Sequence, residues 1–412
     1  MTTDIAGQLT RRFFRYVAVS SQSDAAAARL PSSSGQQRLA DMLATELQGF
    51  GMSDIQIDQQ ATVTAVRRGN VPGAPRIGFI AHLDTVDVGL SPDIHPQLLR
   101  FTGQDLCLNP QRDIWLRVAE HPEILPYIGG DILVSDGTSV LGADNKAAIT
   151  TIMTLLENLD DHTPHGDIVV AFVPDEEIGL RGAKAMDPDR FKVDFAYTID
   201  CCEVGEVVYE NFNAASAVVT FTGVTAHPMS AKGVLVNPIL MAHDFIALFD
   251  RLQTPEHTAG REGYFWCNDL QANAGRATLK MSIRDFESDR FAWRKQQIGA
   301  MAADIARRYP SGAVAFHITD IYSNISNAIT ADRRAIDLIF AGLKELDIEP
   351  KVTPMRGGTD GAALSARGLL TPNYFTGAHN FHSPFEFLPV SSFISSYALT
   401  RRLCILAAQG CE

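Results

Sequence analysis

The chain is short of cations: among its 412 residues, 35 Lys and Arg stand against 48 Asp and Glu, for a formal charge of −13. A surface of that sign repels a phosphate backbone, so nucleic acid is not an expected partner. Long apolar runs are also missing. No stretch approaches the roughly 20 apolar residues that span a bilayer, and no membrane association is expected. Asp4, Arg11, Arg12 and Arg15 interrupt the N-terminal segment, which therefore lacks the apolar core of a signal peptide. Cysteine is scarce. Cys107, Cys201, Cys202, Cys267, Cys404 and Cys411 form neither a CxxC pair nor a regular framework. That usage fits a reducing compartment, and the cytoplasm is the expected location. Internal repeats, heptads and low-complexity tracts are absent as well.

What is present reads as an ordinary globular protein, 46% hydrophobic and 20% charged, long enough for about two domains. Ile5, Leu9, Phe13 and Val17 recur at helical spacing and predict an amphipathic first helix. Ser32, Ser33 and Ser34 read as the start of a second, over residues 36–50. Apolar strands are expected at 76–81 (RIGFIA), 168–173 (IVVAFV) and 195–199 (FAYTI), with a helix over 146–159. Strands alternating with helices imply an α/β sheet covered on both faces.

The texture changes near Tyr209. Residues 217–221 and 276–284 (RATLKMSIR) alternate polar and apolar, while 238–252 and 294–308 have helical spacing. Alternating strands suit a small sheet with one face in water. An α+β domain is therefore expected at 210–322, inserted into a first domain made of 1–209 and 323–412. The last helix, 390–408, should pack on that first domain.

The chemistry-bearing residues lie where the α/β strands end. His82 and Asp84 follow the first apolar strand two residues apart, so an extended chain points them to one side. A metal-bound imidazole is commonly oriented by a carboxylate, a role open to Asp84; the pair alone reads as readily as a solvated strand end. Asp144 opens a helix and alone reads as an N-cap as well as a ligand between two cations. Asp175, Glu176 and Glu177 follow IVVAFV directly, and three adjacent acids repel one another unless cations neutralise them. Adjacent glutamates also allow one to bind metal while the other stays free as a general base. Asp200 ends FAYTI, and His382 lies far along the chain in FHSP. Two histidines and several carboxylates suit a pair of zinc-like ions, and together they point to a site at the strand ends.

The order HLDT, GADNK, PDEEIG, YTID, AHP, RGGTDG and HNFH resembles peptidase T, a tripeptide aminopeptidase in the superfamily of aminoacylases and glutamate carboxypeptidases. The resemblance covers nearly the whole chain. NFNAAS at 211–216, AKGVLVN at 231–237, IRDF at 283–286 and RGGTDGAALS at 356–365 look specific to that branch. It implies an α/β catalytic domain with a central mixed sheet flanked by helices and interrupted by a smaller α+β lid. It also implies two divalent metal ions, zinc in the first place, short peptides as substrates, and an unusual backbone, cis in form, at Asp144–Asn145. By motif, His82, Asp144, Glu177, Asp200 and His382 would be metal ligands, with Asp144 bridging. Glu176 would be the general base and Asp84 the residue orienting His82. A homodimer is compatible with the sequence.

Three positions depart from the family pattern: Cys201 and Cys202 where glycines are usual, Pro228-Met229-Ser230 after the lid histidine, and His379 three residues before His382. A substrate carboxylate needs cations or donors, and Arg284, His227 and Arg356 are the candidates for reading it. A related dipeptidase, carboxypeptidase or N-acyl amino acid amidohydrolase would share the metal residues. A peptide-binding protein without catalysis would have no use for a free Glu176.

Overall fold

Runs of Val, Ile, Phe and Ala without polar alternation are stable only where both faces of a sheet are covered. In the computed structural model, which describes residues 4–160 and 162–410, Ile77–His82, Ile168–Val173 and Phe195–Cys201 are such strands, buried almost throughout. Ile77–His82 lies between the other two and runs parallel to both, with His82 opposite Val173 and Ile80 opposite Thr198. Their carboxyl ends therefore lie side by side.

Around this centre the sheet grows to eight strands. On one side come Val63–Arg67 and Ser53–Ile57, each antiparallel to its neighbour; on the other come Asn373–Phe375, Glu206–Val208 and Lys351–Val352. The helix Ala143–Asn158 packs on Ile77–His82 and Phe195–Cys201, and against the first helix Ile5–Val17 and the last, Val390–Gln409. Ser34–Gly49, with Ser33 at its N-cap, packs on the Ser53–Ile57 and Val63–Arg67 pair. These elements belong to one compact unit comprising Met1–Tyr209, Ala328–Thr353 and Thr359–Glu412.

Among the features of this unit without a counterpart in the sequence expectations, two stand out. One is the antiparallel pair at 53–67. The other is a three-stranded sheet of Phe387–Pro389, Asp131–Val134 and Gln97–Arg100. It has its own small core of Phe101, Leu116, Ile132, Val134 and Phe387. Strands of three to five residues carry too few alternations to register as a period.

The second compact unit comprises Glu210–Asn327 with Pro354–Gly358. Its antiparallel sheet has the order Tyr264–Ala272, Arg276–Asp285, Asn213–Thr222, Ala313–Tyr322. Arg276–Asp285 alternates buried and more accessible residues, and its buried side packs with the helices Pro238–Ile246 and Ser288–Arg308. Residues 354–358 join this unit although they were expected in the first domain. Arg356 explains why: its Nη1 donates to the carbonyls of Gly260 and Glu262, its Nη2 to Thr258 Oγ1, and it stacks over Phe212 and Tyr264. A five-residue excursion has no periodicity to read.

The motif NFNAAS also has a local account. Asn213 Oδ1 accepts from Asn324 N and Asn327 Nδ2, and its Nδ2 donates to the carbonyls of Asp285 and Phe286. Asn211 Oδ1 accepts from Ile325 N, and Asn324 Oδ1 from Asn211 N. Buried amides so fully paired stabilise one arrangement of the segments that they join. Among the described residues no helix is long and apolar enough to cross a membrane.

Candidate active site

The parallel strands deliver His82 at the end of one, Glu176 and Glu177 just beyond Val173, and Asp200 near the end of the third. Crevices beyond the carboxyl ends of such strands are where α/β sheets place their sites. His82 is buried. Its Nε2 lies 2.9 Å from Asp144 Oδ1, and its Nδ1 lies 3.1 Å from the carbonyl and 3.3 Å from Oδ1 of Asp84. His382 Nε2 lies 2.9 Å from Asp144 Oδ2 and 3.0 Å from Glu177 Oε1. One carboxylate thus presents each of its oxygens to a different histidine. The Asp144–Asn145 peptide bond is cis, and Asn145 Nδ2 donates to Asp200 Oδ1 at 3.0 Å and to the Ile199 carbonyl.

Three buried acids hold this arrangement. Asp84 does more than face His82: its two oxygens accept from the backbone N–H groups of Glu176 and Glu177, at 3.0 and 3.2 Å. Asp175 turns away from the site, which corrects the expectation that three adjacent acids face one another. With φ of +56° it accepts from Ser32 N and Oγ and from Gln36 Nε2, and Arg181 Nη1 stands 3.5 Å away. Glu386, which the sequence reading missed, is 1% exposed and accepts from the backbone N–H groups of Leu141, Gly142, Ala143 and Asp144, at 2.8 to 3.3 Å. It thereby joins the segment bearing His382 to the loop bearing Asp144. The only hint in the sequence is the apolar setting of a lone acid in SPFEF.

The electrostatics describe a site short of positive charge. Burial raises the proton affinity of Glu176 well above the ordinary range, helped by Glu177, Asp200 and Asp360 and opposed by His82. Burial and Asp144 do the same to Asp200, and push Glu177 to about 7. Asp144 goes the other way: burial would raise it, but the hydrogen bonds with His382 and His82 hold it below the usual range. His382 is raised to about 11, its burial outweighed by Asp144 and Glu177.

Donors of this kind fit divalent ions. The ligand atoms of His82, Asp144 and Glu177 lie within 4.8 Å of one another, and His382 touches the last two. Donors around zinc at about 2.0–2.2 Å stand about 3.3–3.5 Å apart, so contacts of 2.9–3.0 Å need to open by only a few tenths. Asp200 stands beside this group through Asn145. His379 does not join it: it is buried, stacked on Phe387 and 2.7 Å from the Tyr127 hydroxyl. Cys201 and Cys202 follow Asp200, but burial pushes both thiols up and disfavours the thiolate that a metal needs. Cys411 lies outside the described residues.

The residues proposed for substrate lie in the second unit. Arg284 Nη1 donates to the carbonyls of Ala215 and Ile283, and its guanidinium lies over Tyr322. His227 is exposed and its Nδ1 accepts from Met229 N. Arg356 is engaged with Gly260, Glu262 and Thr258 as described.

The sequence model of peptidase family M20/M25/M40 matches residues 141–405. A peptidase T-like protein of Yersinia pestis is 68% identical over 410 residues, covering 100% of both chains. Peptidase T of Caldanaerobacter subterraneus is 40% identical, covering 93% of this chain and 94% of that one. The crystal structure of aminopeptidase PepT from Bacillus cereus superposes with a TM-score of 0.77 at 19% identity, over 98% of this chain and 99% of that one.

Replacing Glu386 by Gln keeps its shape but puts an NH2 donor in place of one of the two oxygens that face four N–H groups. Loss of such a support typically weakens ion binding by about 10- to 100-fold. Glu386→Gln is expected to fold normally by circular dichroism and to bind divalent ions more weakly by that factor in a chelator competition. Unchanged affinity would show that the Asp144 loop does not depend on it.

Proposed function

The chain belongs to peptidase family M20/M25/M40, and from that premise we propose that it is an aminopeptidase that removes the N-terminal residue of tripeptides. The observation that carries the site assignment is Asp144, with one oxygen facing His82 and the other facing His382 and its partner Glu177. On this reading His82, Asp144 and Asp200 serve one divalent ion, and Asp144, Glu177 and His382 a second. Zinc suits the mixed nitrogen and oxygen set. Ions held there would polarise the scissile carbonyl and lower the pKa of the attacking water.

The protein's own part is positioning and proton transfer. Glu176 takes the proton of the attacking water and returns it to the leaving amine. Burial raises its proton affinity, which favours taking a proton from the attacking water. Asp84 sets the backbone of Glu176 and Glu177 together, so that base and ligand keep a fixed spacing. We assign reading of the substrate's C-terminal carboxylate to Arg284, His227 and Arg356. Arg284 comes first, because its bonds to the Ala215 and Ile283 carbonyls use Nη1 alone, whereas Arg356 uses both terminal nitrogens on Gly260, Glu262 and Thr258.

Glu176→Gln is expected to retain its ions and to lose about 10²–10⁴-fold in kcat on tri-alanine. Near wild-type turnover in the ion-loaded variant would move the base elsewhere. Arg284→Ala is expected to cost about ten- to a hundredfold in kcat/KM on tripeptides with a free C-terminus, and little on amidated ones, which cannot form the charged pair. An equal drop for both would make Arg284 a structural residue, through its bonds to Ala215 and Ile283.

A further inference from the structure

Beside the proposed ion site lies a second group of polar atoms that have no hydrogen-bond partner among the described residues. Asp360 opens the short helix Asp360–Ser365 and is 2% exposed, yet neither carboxylate oxygen has a hydrogen-bond partner among the described residues. The hydroxyls of Thr359 and Thr198, also buried, are unpartnered in the same way. The two hydroxyls lie close together: a Cβ on Gly361, the residue after Asp360, would stand 3.2 Å from Thr359 Oγ1 and 3.3 Å from Thr198 Oγ1. That Cβ would also meet the Thr371 carbonyl at 2.6 Å, so only glycine lets the helix approach this closely. Thr198 is two residues before Asp200 on the same strand. The Asp360 charge acts on Glu176, and the charges of His82, Asp84 and Glu177 act on Asp360.

Apart from Glu176, proposed as the general base, the other carboxylates at this end of the sheet are engaged. Asp144 and Glu177 face histidines, Asp84 holds the Glu176–Glu177 backbone, Asp175 is held by Ser32 and Gln36, Glu386 holds the Asp144 loop, and Asp200 faces Asn145. Lys184 is a cation whose charge reaches Asp360, but its Nζ donates to the Gly179 carbonyl. A buried carboxylate without donors is costly unless a ligand brings them.

We propose that Asp360 binds the protonated α-amino group of the substrate, with the Thr198 and Thr359 hydroxyls accepting its remaining N–H bonds. The proposal rests on the aminopeptidase reading above. In a peptide the α-nitrogen is two bonds from the carbonyl carbon that is attacked, roughly 2.5 Å away. Its reader must therefore stand close to the general base; the helix that Asp360 opens packs on the strands bearing His82 and Asp200, and the Asp360 charge reaches Glu176. An ammonium has three donors, which a carboxylate and two hydroxyls can satisfy.

The test compares zinc-loaded wild type, Asp360→Asn and Asp360→Glu on tri-alanine. Lactoyl-alanyl-alanine, with a hydroxyl in place of the ammonium, serves as a competitive inhibitor. Asp360→Asn is expected to lower kcat/KM for tri-alanine by about ten- to a hundredfold while shifting the inhibitor's Ki by less than about threefold. Bound zinc should be unchanged, and Asp360→Glu should recover part of the loss. Equal losses for both molecules, or loss of zinc, would overturn the proposal and make Asp360 a structural support. A wild type that releases no alanine from tri-alanine removes the aminopeptidase reading and this proposal with it; wild-type turnover with equal losses removes the role of Asp360 alone.

Discussion

Carboxylates packed together out of water repel one another, and that repulsion governs the architecture at the carboxyl end of the central sheet. Asp144, Glu176, Glu177, Asp200 and Asp360 gather there with two histidines, His82 and His382, and with the charge of Lys184 reaching Asp360 and Glu176. An arrangement of that kind persists only if cations join it and a stiff frame prevents it from relaxing apart. The frame is visible. Asp84 ties the Glu176–Glu177 turn to the His82 strand, Asp175 anchors the same turn to Ser32 and Gln36, and Glu386 clamps the Asp144 loop. Backbone strain follows the same pattern. His382 has φ of +62° and Asp175 of +56°, conformations that cost roughly 1–3 kcal/mol and survive where the surroundings impose them.

The supports are themselves acidic, and each accepts hydrogen bonds from the backbone or from neutral side chains. Charge is thus used in two ways within a few residues. Asp175 and Asp84 are saturated by N–H and O–H donors and serve as fixed struts, whereas Glu176 and Glu177 are left to chemistry and ligation. On the proposed assignment, four consecutive residues, Pro174 to Glu177, supply a strut, a base and a ligand, with the strut Asp175 bonded to Ser32 and Gln36.

How far this was legible in the sequence depended on the kind of interaction. Each strand-end motif also reads as a solvated strand end; what drew attention to His82, Glu176, Glu177 and Asp200 was that His or acids follow several apolar runs directly, so that together they point to one end of the sheet. Asp144 and His382 needed the resemblance, since a helix-opening Asp and a distant histidine look ordinary alone. The supports were not legible. Glu386 bonds to backbone atoms some 245 residues earlier, and Asp84 to N–H groups some 92 residues later, and neither contact leaves a pattern in residue type. Asp175 was misjudged because adjacency in sequence was taken for adjacency of side chains, which a positive φ undoes. The short strands between 97 and 134 and the excursion at 354–358 lacked the length that periodicity requires.

The central claim is that one carboxylate, Asp144, organises two cation sites. Counting bound divalent ions per chain by equilibrium dialysis and elemental analysis at neutral pH tests it most directly. The account predicts two ions in the wild type and the loss of both, or a steep fall in the affinity of both, in Asp144→Asn, because each histidine faces one of its oxygens. A wild type that holds a single ion, or an Asp144→Asn variant that loses only one and keeps the other at full affinity, would contradict it.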